Sequence, residues 1–296
     1  MTEKIKFIVD DLANYSGDLL DYSSHILYLP KRIEVDAKSL NLHFFETQPS
    51  YSEEFLDAVH NNRTKMGASS MGLERYEEIL EGFLSDYPDY NFIYVKPWIP
   101  GETFASDLSD LESVIEQINI LYNSKIRIFY SNSFGSALHY IIYNLISQYV
   151  NNDKTISDLE NLFTDLNSNT YEYVSLYDKS LVKRHKWENF EDLEAYNRVL
   201  FKFQNRNKTY FGFNGECFDF YKFCVKTISE ELNNLKKEYD FVVSFFPITD
   251  EYDINESIAL FLQSVENHDT YSLHYTSQSN FIINSDGDSF SICVKS

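Results

Sequence analysis

The sequence predicts an α/β protein with a mixed, largely parallel central sheet, flanking helices and a helical insertion. Three observations lead there. Residues 91–95 (NFIYV) and 126–130 (IRIFY) are short β-branched and aromatic runs of buried-strand type. Each is followed by a helix-period segment, 107–122 and 137–150. A strand, helix, strand, helix order is what a parallel βαβ unit looks like in sequence, because parallel neighbours need a crossover. Finally, nine glycines and six prolines in 296 residues favour long helices joined by polar loops over glycine-built phosphate loops.

The elements follow in order. Residues 52–60 and 72–84 read as helices, the second with Leu73, Tyr76, Ile79, Leu80 and Phe83 on one 3.6-period face. Polar residues 86–89 break that pattern, and the strand at 91–95 is stopped by Pro97 and the Pro100-Gly101 turn. The helix at 107–122 repeats Leu108, Leu111, Val114, Ile115, Ile118 and Leu121 at helical spacing, with Asp107 or Ser109 as its cap. After a polar break at 151–155 come a helix at 157–166, an alternating strand at 170–177 and helices at 188–204 and 217–238. Residues 241–246 (FVVSFF) form another buried strand, 255–266 a helix, and 271–275, 280–283 and 290–294 closing strands, the last two joined by an Asp286-Gly287-Asp288 hairpin turn. The whole, 1–296, reads as one domain, with about 151–238 as a helical subdomain or lid.

Charge bounds the function. With 25 basic against 46 acidic side chains the net charge is −21, the opposite of what a phosphate-tracking protein needs, so general nucleic-acid binding is not expected. Residues 179–208 reverse the sign locally: Lys179, Lys183, Arg184, Lys186, Arg198, Lys202, Arg206 and Lys208 outnumber Glu188, Glu191, Asp192 and Glu194. Within that island Lys183, Arg184, Lys186 and Trp187 combine cations with an aromatic ring, a pattern suited to an anionic ligand. No stretch approaches the roughly 20 apolar residues of a membrane span. The N-terminal apolar run, Phe7 to Val9, is too short for a secretory signal. Cys217, Cys224 and Cys293 make neither a disulfide framework nor zinc-ligand spacing, so a reducing, cytoplasmic compartment is expected, with no metal and no cofactor.

One segment suggests chemistry. Between the strand at 126–130 and the helix at 137–150 the chain reads Ser131-Asn132-Ser133-Phe134-Gly135-Ser136. This strand, small-residue turn and helix resembles the nucleophile elbow of the α/β-hydrolase superfamily, in which small residues flank a nucleophile on a strained turn. The resemblance covers about 50 residues, and Ser131 stands where that family has its first glycine. It implies Ser133 as nucleophile, the Phe134 N–H as an oxyanion donor, Asp250 or Asp253 as orienting acid, and His268 or His274 as base, in the order serine, acid, histidine. The implied activity is an ester or acyl hydrolase acting on a small-molecule substrate through an acyl-enzyme.

Two other classes remain open. The acidic, aromatic-rich composition also fits a non-catalytic interaction protein, such as an inhibitor, adaptor or immunity-type partner of a basic protein. The basic-aromatic segment fits a sugar- or nucleotide-dependent transferase. His139 reads as a helix-face histidine, and residues 212–216 as a turn leading into the helix at 217.

Overall fold

The computed structural model describes residues 3–10, 17–29, 32–35, 38–41, 66–69, 72–98, 105–123, 125–176, 193–215, 217–235, 240–246, 275–276 and 289–295. Two sheets and the helix between them organise these residues. The first sheet is fully parallel and contains β1 (Ile5–Asp10), β2 (Ile26–Leu29), β6 (Asn91–Lys96) and β7 (Ile126–Tyr130) in the order β2-β1-β6-β7. A 3-10 helix, Gly17–His25, leads into β2. Strands β3 (Arg32–Val35), β4 (Lys38–Asn41) and β5 (Met66–Ser69) form a separate antiparallel sheet in the order β4-β3-β5.

The apolar run that predicted β6 is continuous because both faces of the parallel sheet are covered there, whereas β7, the edge strand, leaves Arg127 and Tyr130 exposed. Phe7, Val9, Ile93, Val95 and Phe129 face one core, while Ile8, Leu27, Phe92, Tyr94 and Ile126 face another. Helices α1 (Leu73–Asp86) and α2 (Ala105–Leu121) cover the second face with Tyr76, Leu80, Leu84, Leu111, Val114, Ile115 and Ile118. Two residues assigned to these stripes lie outside them. Leu73, at the start of α1, is 49% exposed and Leu121, at the end of α2, is 68% exposed, since a terminal residue lies beyond the reach of the facing helix.

Helix α3 (Gly135–Asn152) covers the first face, followed by α4 (Ile156–Asn169). Every residue from Gly135 to Ile142 is buried. A helix apolar on all sides needs neighbours on all sides, and α3 has them: the parallel sheet and α4 on one side, and β8, β11 and β13 of the second sheet on the other. It runs through the polar break expected at 151–155 as far as Asn152 and ends where Asp153 turns left-handed (φ 48°). A capping box then starts α4: the Asp158 N–H donates to Thr155 Oγ1 at 3.3 Å, and the Thr155 N–H donates to Asp158 Oδ2 at 3.0 Å.

The second sheet contains β8 (Thr170–Leu176), β9 (Arg198–Gln204), β10 (Asn207–Phe213), β11 (Asp240–Phe246), β12 (Tyr275–Thr276) and β13 (Ser289–Lys295). Its order is β10-β9-β8-β13-β11-β12, antiparallel except for the β11–β12 pair. Helix α5 (Cys217–Leu235) precedes β11. The helix expected over 188–204 is corrected here: 198–204 is strand β9, hairpinned to β10 through Asn205 and Arg206, both left-handed (φ 49° and 64°). Two positive φ values in a two-residue loop match the twist of the flanking strands, and the run Val199, Leu200, Phe201, Phe203 is buried by β-sheet packing. Segment 151–238 thus supplies α4, α5 and the three strands β8, β9 and β10. The helices expected at 52–60 and 255–266, the strand at 280–283 and the turn at 286–288 lie outside the described residues.

Candidate functional site

In open parallel sheets ligands bind beyond the carboxyl ends of the strands, where the strand order reverses. Here the order reverses at β1, and the neighbouring strands β6 and β7 end together, Lys96 opposite Tyr130. The segments leaving them are stitched to each other: the Ser131 N–H donates to the Lys96 carbonyl at 2.9 Å, and the Trp98 N–H donates to the Ser133 carbonyl at 3.0 Å. The turn from Ser131 to Ser136 is therefore held in place at this edge.

Its polar groups are buried and satisfied from several elements. Ser131, Ser133 and Ser136 are at most 6% exposed. The Ser133 N–H donates to Ser131 Oγ at 3.0 Å. Asn167, near the end of α4, accepts from the Asn132 N–H at 2.6 Å through Oδ1 and donates to the Tyr130 carbonyl at 3.2 Å through Nδ2. Glu172 of β8, 1% exposed, accepts the Ser136 N–H at 2.9 Å, so a carboxylate from the second sheet sits at the N-terminus of α3, where the helix dipole favours negative charge. Gly135 carries the turn's left-handed conformation (φ 53°), which a residue without Cβ adopts at little cost.

Beside the serines stands an aromatic wall. Phe134 projects from the turn into a cluster with Val174, Leu193, Val199, Phe201 and Phe203, against which Trp98, Tyr196 and Tyr210 pack. Phe134 and Phe203 meet edge to face at 5.0 Å between centroids, and Trp98 reaches both rings at 6.4 and 6.1 Å. The cluster draws on the turn, the end of β6 and the hairpin of the second sheet, so it is a joint between the two sheets. On the adjoining edge Glu112 of α2 accepts hydrogen bonds from Lys96 and Tyr130. The Lys96 ammonium and the Tyr130 hydroxyl hold the Glu112 carboxyl below its usual range, and the Glu112 carboxylate pushes the Tyr130 phenol up to about 12.

The sequence-predicted site residues fall into two groups. Ser133 and Phe134 lie in this turn. Asp250, Asp253, His268 and His274, and the anion-binding candidates Lys183, Arg184, Lys186 and Trp187, lie outside the described residues. Ser133 also lacks the conformation a nucleophile elbow would impose, because the left-handed φ of this turn belongs to Gly135, two residues later. His139 is buried on α3 and stacked on Tyr143 at 6.3 Å. Of the segment 212–216, read as a turn, Gly212 and Phe213 instead end β10, and Asn214 accepts from the Asn197 N–H at 2.8 Å and donates to the Ala195 carbonyl at 2.7 Å. Sequence reasoning missed Trp98, Asn167, Glu172 and Phe203, which no local motif marks. Arg206 was visible only as one charge of the basic island.

The arrangement defines a class: an α/β protein in which a four-stranded parallel sheet and a mostly antiparallel second sheet enclose a polar turn backed by aromatic side chains. No family model and no curated protein matches the chain. Solved structures do match over its full length. A DegV family protein from Eubacterium eligens loaded with heptadecanoic acid shares 10% identity at a TM-score of 0.74, with 99% of each chain covered. A fatty-acid-binding DegV family protein from Thermus thermophilus shares 8% identity at a TM-score of 0.74, with 99% of each chain covered. A Thermotoga maritima protein described as revealing a fatty acid binding function shares 11% at 0.73, again with 99% of each chain covered.

This likeness overturns the α/β-hydrolase resemblance and with it the serine hydrolase expectation: the fold neighbours are DegV family structures, and the turn that suggested an elbow is a serine-rich loop at the sheet edge. The alternatives fare no better, since neither a basic protein partner nor a transferase substrate finds support among these neighbours. No helix among the described residues is long and apolar enough to cross a membrane.

Proposed function

We propose that this protein binds a long-chain fatty acid without covalent chemistry, holding the head group at the 131–136 turn and the hydrocarbon tail against the aromatic cluster around Phe134. One observation carries the proposal. A turn with three buried serines adjoins an apolar, aromatic joint between two sheets, at the carboxyl ends of two parallel strands, the side of such sheets on which ligands bind, in a fold matched over 99% of each chain by a structure loaded with heptadecanoic acid and by one described for fatty acid binding. The chemistry is matched at both ends. Serine hydroxyls suit a carboxyl group, and each methylene taken from water contributes about 0.8 kcal/mol, so tail length dominates affinity. Ser133 changes role accordingly, from nucleophile to hydrogen-bonding group. The cytoplasm remains the proposed compartment.

The test is a titration of delipidated protein with hexadecanoate, followed by native mass spectrometry of the complex. One saturable site and a non-covalent mass shift are expected, with affinity falling as the chain is shortened. A fluorophosphonate probe leaves Ser133 unlabelled. Absence of saturable hexadecanoate binding overturns the proposal.

A further inference from the structure

The turn that joins β9 to β10 belongs to the second sheet, yet its tip reaches the candidate site in the first. Asn205 and Arg206 are both left-handed there (φ 49° and 64°). Asparagine tolerates that region, and glycine is the usual residue at the second position of such a turn. Arginine carries a Cβ penalty at this position, so the turn alone does not explain its presence. Its side chain does. Arg206 Nε donates to Asn132 Oδ1 at 2.9 Å, and Nη2 approaches the Ser131 carbonyl at 3.5 Å. Asn205 Nδ2 lies 3.4 Å from the carbonyl of Ser168, at the end of α4.

Asn132 is thereby held from two sides, its N–H by Asn167 of α4 and its side-chain carbonyl by Arg206 of the hairpin. The strands flanking the tip carry Phe201, Phe203 and Tyr210, which pack with Phe134. The hairpin thus supplies both the aromatic wall and the cation that fixes the polar turn beside it.

We infer that Arg206 is a positioning residue: its guanidinium latches the β9–β10 hairpin onto Asn132 and Ser131 and so holds the 131–136 turn in its ligand-binding arrangement. The role in binding rests on the fatty-acid reading above, whereas the latch itself does not. A latch of this kind is made of charge-assisted hydrogen bonds, stronger than neutral ones and sensitive to loss of the planar fork.

Arg206→Gly separates the latch from the turn, because glycine relieves the left-handed backbone while deleting the guanidinium. Hydrogen exchange on the unliganded protein is the first readout. The Asn132 and Ser133 amides are expected to exchange about tenfold faster in Arg206→Gly, the factor that loss of one charge-assisted hydrogen bond gives, with the melting temperature unchanged or raised. Asn205→Gly, which alters the same turn, leaves those two amides at the wild-type rate.

The second readout is hexadecanoate dissociation, expected to be faster in Arg206→Gly by a similar factor. Unchanged exchange at Asn132 and Ser133 overturns the inference. So does equal acceleration in Asn205→Gly, or a lowered melting temperature with faster exchange along all of α3, since each marks general loosening of the hairpin. Failure of the wild type to bind hexadecanoate counts against the fatty-acid reading and leaves the exchange comparison to decide the latch.

Discussion

Phe134→Ala is the sharpest test of the joint between the two sheets. The side chain is 1% exposed and contacts Phe203 edge to face at 5.0 Å and Trp98 at 6.4 Å. Removing a fully buried phenylalanine costs about 3–5 kcal/mol, the transfer free energy of the ring plus the cavity left where rigid neighbours cannot collapse. Collapse is hard here, since Phe134 is the N-cap of α3 and its backbone is fixed by the helix it starts. The two ring contacts account for about 0.5–1.5 kcal/mol each within that total. In a chain this long, 1 kcal/mol moves the melting temperature by about 2 °C, so a drop of roughly 6–10 °C is expected.

Urea denaturation followed by circular dichroism measures the same loss as a lower midpoint with an unchanged slope. Phe203→Ala and the double variant complete a cycle whose coupling is expected at about 1 kcal/mol, because the two rings lose a shared contact. A cost below about 1 kcal/mol for Phe134→Ala, or strict additivity with Phe203→Ala, would refute the account of this cluster as the packed joint behind the candidate site.

Two further outcomes are expected from the structure. A Cβ on Gly212 would stand 2.3 Å from the ring of Tyr196, a member of the aromatic joint. Gly212→Ala is therefore expected to destabilise by about 1–3 kcal/mol through overpacking, read by urea titration, and a neutral result would mean that Tyr196 moves aside freely. The Lys96–Glu112–Tyr130 group predicts a pH signature. Glu112 titrates below its usual 4.5 in the folded chain, so its contribution is present above that value and lost as pH falls through the lowered one. Tyr130, raised to about 12, contributes below its usual 10 and loses that contribution as pH rises toward 12. Both effects are small, because Tyr130 is 47% exposed and solvent screens the pair. Difference curves of stability against pH, variant minus wild type, should bend in both windows for Tyr130→Phe and for Glu112→Gln, because either change removes the hydrogen bond that shifts its partner. A flat Tyr130→Phe difference from pH 9 to 12 would contradict the assignment.

Several elements were legible in sequence because their signal is local. β6, β7, α1 to α4 and β8 announced themselves through hydrophobic period, and the parallel pairing of β6 with β7 followed from the crossover helix. The central strand β1 was seen only as a short apolar run, since an interrupting Lys6 and flanking acids blur the pattern. β9 was misread as helix because the residues before it favour helix and its turn, Asn205-Arg206, lacks the usual glycine.

For the site the division is similar. The sequence by itself determined that residues 131–136 form a small-residue turn between a buried strand and a buried helix, and that the chain is acidic and rich in aromatics. Only the tertiary structure decided how that turn is built. The same serine pattern suits a strained nucleophile or a quiet polar pocket, and the choice depends on which residue takes the left-handed backbone and what packs alongside. Gly135 takes it. Glu172 at the Ser136 N–H, Asn167 and Arg206 around Asn132, and Phe203 against Phe134 lie 35 or more residues from their partners in sequence. Such long-range contacts carry no periodic trace in the chain, because they arise when two sheets close on a shared helix and not from the spacing of neighbours.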